Sequence, residues 1–189
     1  MSPRMAMEDR RELVLREAIP VFARYGFEGA TTAEIANRSG VTQPYIFKLF
    51  ESKKALFIAA CERNMGTTQA QMRESAGGKT GHEALEAMGD AYVERMEKDR
   101  DSLLLQMQQF AACYDEDIQR SVRHTMQDLW TMVIELTGVP VEKVAMFFAK
   151  GMMCNVIAAA GRSDGNDEQW LPVLKALWPD KYALPGDER

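Results

Sequence analysis

Val14, Ala18, Val21, Phe22 and Tyr25 recur at the i, i+4, i+7, i+8, i+11 spacing that lines apolar side chains along one face of a helix. They predict a first helix over residues 8–25. Pro20 lies inside it, and an interior proline lacks the N–H that the helix needs, so a bend is expected near 16–20 and a stop at Gly26. Thr31-Thr32-Ala33-Glu34 has the Ser/Thr-x-x-Glu form of a capping box and starts a second helix over 31–39. Gly40 makes a turn, and a third helix follows over 42–50. Ser52 offers an N-cap to a long fourth helix over 53–75. GGKTG at 77–81 is the first clear break, and further helices are expected over 82–98, 102–113, 115–136, 140–160 and 167–178. No period-two run predicts a strand, so the fold class is all-α.

The second and third helices have a specific relationship. Two short helices crossing steeply need a small residue at the contact, which Ala36 supplies. The sharp turn between them needs a residue tolerant of positive φ, which Gly40 supplies. Ile35, Val41, Ile46 and Leu49 are the apolar residues that close the pair, and the spacing is that of a DNA-binding helix-turn-helix. Wound at 100° per residue, the third helix puts Ile46, Leu49 and Phe50 in one inward arc. Pro44 and Lys48 point the other way, with Tyr45 and Phe47 on the flanks. A helix buried for its own sake would carry its aromatics beside Ile46. Exposed apolar groups beside a cation suit a major groove, where thymine methyls and phosphates both lie within reach.

Charge sharpens this picture. The chain of 189 residues has a net charge of −5, which argues against nonspecific nucleic-acid binding by the whole molecule. Residues 1–60 nevertheless hold 9 Lys/Arg against 7 Asp/Glu, and 14 against 21 follow. Only the N-terminal end suits an approach to phosphate. Cys61, Cys113 and Cys154 have no CxxC spacing, and His82 and His124 lie far apart, so no metal or other cofactor is expected. GGKT lacks the GxxxxGK(S/T) spacing and the preceding strand of a phosphate loop, and SDGNDE at 163–168 lacks calcium-loop spacing. No stretch reads as a signal peptide, and the most apolar run, 141–160, is interrupted by Glu142, Lys143, Lys150 and Asn155. A cytoplasmic location without membrane association is the expectation.

Over residues 10–60 the chain resembles the tetracycline-repressor (TetR) family of transcriptional regulators. The resemblance rests on Ala18, Phe22 and Gly26, on Thr31-Thr32-Ala33-Glu34-Ile35-Ala36, on Gly40-Val41-Thr42, on Ile46-Phe47 and Phe50, and on Ser52-Lys53 with Leu56. It implies an N-terminal three-helix DNA-binding domain, 1–52, followed by a helical effector-binding and dimerisation domain, 53–189, entered through the fourth helix. The implied partners are a double-stranded DNA operator, a second copy of the chain and a small-molecule effector. Thr42, Gln43, Pro44, Tyr45 and Lys48 would face DNA, while Thr32 and Lys53, each at a helix N-terminus, would hold phosphates. Gln43 suits an adenine edge. Phe47 stands where the family usually has tyrosine, so a phosphate-bonding hydroxyl is missing there. Leu49, where the family commonly has histidine, fits the buried arc.

The C-terminal half is less explicit. Tyr92, Met96, Met107, Phe110, Tyr114, Met126 and Trp130 first of all suit a core, and with the polar Asn155 they also suit an adaptable pocket for an apolar effector. Two stripes suit a four-helix dimer interface: Phe148, Met152 and Asn155 on one helix, and Trp170, Val173, Leu174 and Leu177 on the next. The expected function is a ligand-responsive homodimeric repressor of a palindromic operator. A DNA-binding dimer without an effector is the alternative, and a helical enzyme a second, for which no nucleophile–base pair speaks.

Overall fold

The computed structural model describes residues 3–160, together with Pro172, Val173 and Ala176. Among the described residues eight helices follow one another: α1 (Pro3–Gly29), α2 (Thr32–Ser39), α3 (Gln43–Phe50), α4 (Lys53–Ala76), α5 (Gly81–Lys98), α6 (Arg100–Ala111), α7 (Glu116–Thr137) and α8 (Val141–Ala160). The described residues contain no strand. The helix expected over 167–178, with Trp170, Leu174 and Leu177, lies outside the described residues. Val173 is described, helical and half-buried.

Two expectations for α1 change. Pro20 keeps helical torsions, and the interruption comes at Gly26, with φ 69 and ψ −177, after which helix resumes to Gly29. That conformation is essentially restricted to glycine. A Cβ there would also stand 2.9 Å from Oε1 of Gln108, whose amide reaches Ala23 O. α6 begins before residue 102, because Asp99 caps it by accepting from Ser102 N–H at 3.1 Å.

Two apolar cores are strung along α4. The first gathers Val14, Ala18 and Phe22 from α1, Ile35 from α2, Ile46 and Phe50 from α3, and Leu56 and Phe57 from α4. Phe22 meets Phe57 edge to face at 4.9 Å. This core continues through Leu105 of α6 and Ala112 at its C-cap to Ile118 and Val122 of α7. The helix-turn-helix unit therefore shares its interior with helices beyond residue 52. The second core joins Met65 and Met72 of α4 to Met88 of α5, Met132 and Val133 of α7, and Val144 of α8.

Candidate nucleic-acid interface and effector hollow

The short helices are fixed by local chemistry. Thr31 Oγ1 accepts from Glu34 N–H at 3.2 Å, opening α2. Gly40, at φ 63, ends it, and Val41 N–H returns to Ala36 O at 3.0 Å. Pro44 lies in the first turn of α3, where its missing N–H costs nothing. Ile46 and Phe50 are buried, Leu49 half-buried, and Thr42, Gln43, Pro44, Phe47 and Lys48 exposed, with Phe47 at 42%. Tyr45 is half-buried on the flank. Thr42 sits at the N-cap of α3 without spending its hydroxyl on the cap.

Thr32 and Lys53 differ from the phosphate-holding roles expected of them. Thr32 is buried, and its hydroxyl accepts from Gln43 Nε2 at 2.7 Å. The side chain best suited to a base edge is thus steered by the helix behind it. Lys53 Nζ donates to Glu28 O at 3.1 Å and Ala30 O at 3.3 Å and lies 4.9 Å from the centre of the Phe27 ring. Two of its three donors hold the C-terminal end of α1, leaving one for a phosphate.

Two arginines escaped the sequence reading. Arg10 of α1 lies 5.8 Å from the Tyr45 ring centre, and Arg11 lies 4.8 Å from that of Phe50. They carry α1's positive charge to the flank of α3. Nothing in the spacing of helical positions indicates which aromatic ring an exposed arginine will cover.

A polar clip joins this head to the turn between α6 and α7. Lys54 Nζ donates to Asp115 at 3.1 Å and Asp117 at 2.7 Å. These bonds raise the Lys54 pKa, Asp117 first and Asp115 next, and the Lys54 bond is the main cause lowering both carboxyls. Tyr114 donates its hydroxyl to Glu28 Oε1. Tyr114 is 65% exposed, so it belongs to this clip and not to the interior pocket expected for it.

The other expected pocket residues are dispersed. Phe110 and Met126 pack on the first core, and Trp130 stacks on Phe148 at 4.7 Å. Met107 is half-buried, and the Met96 side chain lies outside the described residues. Tyr92 and Asn155 do come together. Tyr92 Oη lies 2.7 Å from Asn155 Oδ1 and 2.9 Å from Gln106 Oε1. One hydroxyl proton cannot serve two acceptors, so one amide is better turned to offer its NH2. Burial pushes the Tyr92 phenol up to about 12. Beside it lies a hollow of about 210 Å³, its open mouth included, lined by Asn64, Thr68, Tyr92, Arg95, Asp99, Ser102, Leu103 and Gln106.

The stripe expected to form the dimer face on α8 is turned inward in part. Asn155 is 1% exposed and bonded to Tyr92, Phe148 is half-buried against Trp130, and Gly151 faces the Tyr92 ring. Small residues on this side let α8 seat against α5. The open side is the neighbouring stripe of Ala145, Ala149, Met152 and Val156, with Met146 and Met153 beside it. α8 is also the one helix among the described residues long and apolar enough, by length and composition, to cross a membrane, with a mean hydropathy of 1.3. Its open stripe accounts for much of that apolarity. Among the described residues no three His, Cys, Asp or Glu side chains gather as a metal set.

Comparison with known proteins fits this arrangement. Residues 14–60 match the family described as bacterial regulatory proteins, tetR family. The HTH-type transcriptional regulator YerO of Bacillus subtilis (strain 168) is 30% identical over 102 residues, 52% of this chain and 35% of that protein. The class C tetracycline repressor protein of Escherichia coli is 42% identical over 53 residues, 28% of this chain and 24% of that protein. The matched stretches thus span about a third or less of these relatives' own length. Among solved structures, the transcriptional regulator FadR from Bacillus subtilis, in complex with stearoyl-CoA, has a TM-score of 0.71 at 16% identity, covering 88% of this chain and 96% of that one. That likeness is one of fold.

Proposed function

We propose that this chain, whose residues 14–60 match the tetR family, is a transcriptional regulator of that family that works as a homodimer, its two α3 helices entering major grooves of a palindromic operator and being withdrawn when a small molecule binds the helical half. One observation carries the DNA reading. The outward side of α3 offers Thr42, Gln43, Pro44, Phe47 and Lys48 to solvent, while Ile46 and Phe50 anchor it from behind. Direct readout needs such a rigidly backed face carrying amide, apolar and cationic groups together. Gln43 reads a base edge, Phe47 packs on thymine methyls or sugar, and Lys48 and the third donor of Lys53 meet phosphates.

The open apolar stripe of α8 supports the dimer, because a second copy buries it and repeats α3 across a twofold axis. The fold neighbour that holds stearoyl-CoA supports responsiveness to a small molecule. Release then follows from linkage: a ligand that prefers a dimer with wrongly spaced α3 helices weakens DNA binding by the same coupling energy, typically ~1–3 kcal/mol.

Selecting bound sequences from random duplex DNA tests the whole reading. An inverted repeat with half-sites about one turn or more apart is expected. Enrichment of a single half-site would argue against the dimer, and no enrichment would end the DNA assignment. A dimer without an effector is the second reading, favoured by the close stacking of Trp130 on Phe148 in the helical half.

A further inference from the structure

Arg10 carries the inward row of α1 one turn past the core. Wound at about 100° per residue, Arg10, Arg11, Val14 and Ala18 fall within one arc of about 100°. Val14 and Ala18 are buried in the first core, while the two arginines are exposed and lie over rings of α3. Arg11 sits 4.8 Å from the centre of the buried Phe50 ring and so roofs the core. Arg10 sits 5.8 Å from the centre of the Tyr45 ring, which is half-buried at the edge of the outward face. By the same winding Asp9 and Glu12 fall on the opposite side of α1, with Glu8 at the margin of the arc. Glu12 is held by Arg63 at 2.6 Å. Among the described residues neither the Arg10 guanidinium nor the Tyr45 hydroxyl has a hydrogen-bond or ion-pair partner. Neighbouring cations are more engaged: Arg38 meets Glu17 at 3.4 Å, Lys54 is held by the clip, and Lys53 donates to two carbonyls.

The two flanks of α3 differ. On one, Gln43 donates to Thr32, so α2 stands there. Tyr45 lies about 160° around the helix from Gln43 and about 60° from Lys48, on the flank turned to α1. A helix with its side chains is about 10–12 Å across and a major groove about 12 Å wide, so a helix in the groove brings both flanks against sugar-phosphate strands. We propose that Tyr45 and Arg10 clamp one phosphate of the operator on the flank away from α2, through the Tyr45 hydroxyl and the Arg10 guanidinium. This deepens the DNA reading above and rests on it. The fork of a guanidinium meets two phosphate oxygens with parallel bonds, and the hydroxyl donates a third. The ring beneath Arg10 limits the rotamers of a long side chain before DNA arrives, which lowers the ordering cost of binding. Phe47 has no hydroxyl to donate, and Tyr45 supplies one on this flank. Such a contact fixes where α3 sits along the groove and reads no base.

The test uses the full chain and the duplex it selects from random DNA, remade with a neutral methylphosphonate at one phosphate at a time. Affinity for each duplex, salt dependence and Tm are measured for the wild type, Tyr45→Phe, Arg10→Met and Arg11→Met. Wild-type binding weakens at least about threefold when the clamped phosphate of a half-site is neutralised. Tyr45→Phe, which keeps the ring, and Arg10→Met each bind the unmodified duplex at least about threefold more weakly and lose sensitivity at that one phosphate. Arg10→Met also lowers the slope of log K against log salt by about one per subunit. The bases selected by both variants stay those of the wild type, and Tm is unchanged in Tyr45→Phe. Should Arg10→Met fail to fold, Tyr45→Phe and the wild-type phosphate profile decide. Phosphate profiles in both variants identical to the wild type would overturn the clamp. So would a changed base in the Tyr45→Phe selection, which makes Tyr45 a base reader, or the same loss from Arg11→Met, which makes the effect one of general charge. In each of those cases wild-type binding leaves the DNA reading standing. If the wild type selects no duplex at all, the DNA reading falls and the clamp with it.

Discussion

Lys54, at the first turn of α4, holds Asp117, at the first turn of α7, across 2.7 Å. The two residues are 63 positions apart in sequence and tie the helix-turn-helix head to the helical half. Asp115 shares the same ammonium at 3.1 Å and also caps α7 through Asp117 N–H and Ile118 N–H. One turn of chain is thereby both a helix start and a clip.

The clip makes a pH prediction. Both carboxyls titrate lower folded than unfolded, chiefly through the Lys54 bond. Their stabilisation is therefore complete above the ordinary aspartate value of about 3.9 and is lost as pH falls through the lower folded values. Wild type melts above Lys54→Met at pH 7, and the gap closes below about pH 4. A gap that persists in acid would show that Lys54 acts through packing instead.

Gly26 combines a glycine-only conformation with a crowded Cβ position. Gly26→Ala is expected to cost about 1–3 kcal/mol in urea unfolding from backbone strain alone, with the Gln108 contact adding to it. Gln108→Ala on that background recovers only the contact's part. Full recovery would mean the backbone strain is negligible.

Adjacent positions on α3 separate stability from recognition. Ile46→Ala empties a fully buried site and costs about 2–5 kcal/mol of stability. Phe47→Ala leaves stability within about 0.5 kcal/mol and weakens operator binding at least about fivefold. If Phe47→Ala destabilises the fold instead, its exposed ring is not waiting for DNA.

Two lysines separate in a similar way. Lys48→Ala leaves Tm unchanged and lowers the slope of log K against log salt by about one per subunit. Lys53→Ala also lowers Tm, because it removes the bonds to Glu28 O and Ala30 O at the end of α1. Equal Tm values for the two variants would count against Lys53 as a helix-end pin.

The helices that carry function were legible because their signals are local. Thr31 and Glu34 announce a start, Gly40 a turn, and the spacing of Ile46, Leu49 and Phe50 an inner face. The helical half was less legible, because its chemistry depends on which faces meet. Arg95 is set apart from the other arginines only by Asn64, Ser102 and Gln71, which converge on it from two other helices and which no spacing in the sequence announces. Tyr114 looked like a pocket residue because helical spacing says nothing of a side chain lying just past a helix end. Asn155 was given both to the pocket and to the dimer stripe, and it lies inward beside Tyr92, since Gly151 seats that side of α8 against the Tyr92 ring. Thr32 was given to a phosphate because a hydroxyl at a helix start suits one; its burial under Gln43 is a tertiary fact.

α4 passes through both cores, and this makes it a lever. Asn64 lies eleven residues from Lys53, about 16 Å along the axis at 1.5 Å per residue. A tilt of about 5° pivoting near Asn64 moves the Lys53 end by roughly 1.4 Å over that length. That displacement is about half a hydrogen-bond length, enough to spoil a base contact. A small tilt at the middle of α4 is therefore magnified at the end that carries Lys53 and Lys54.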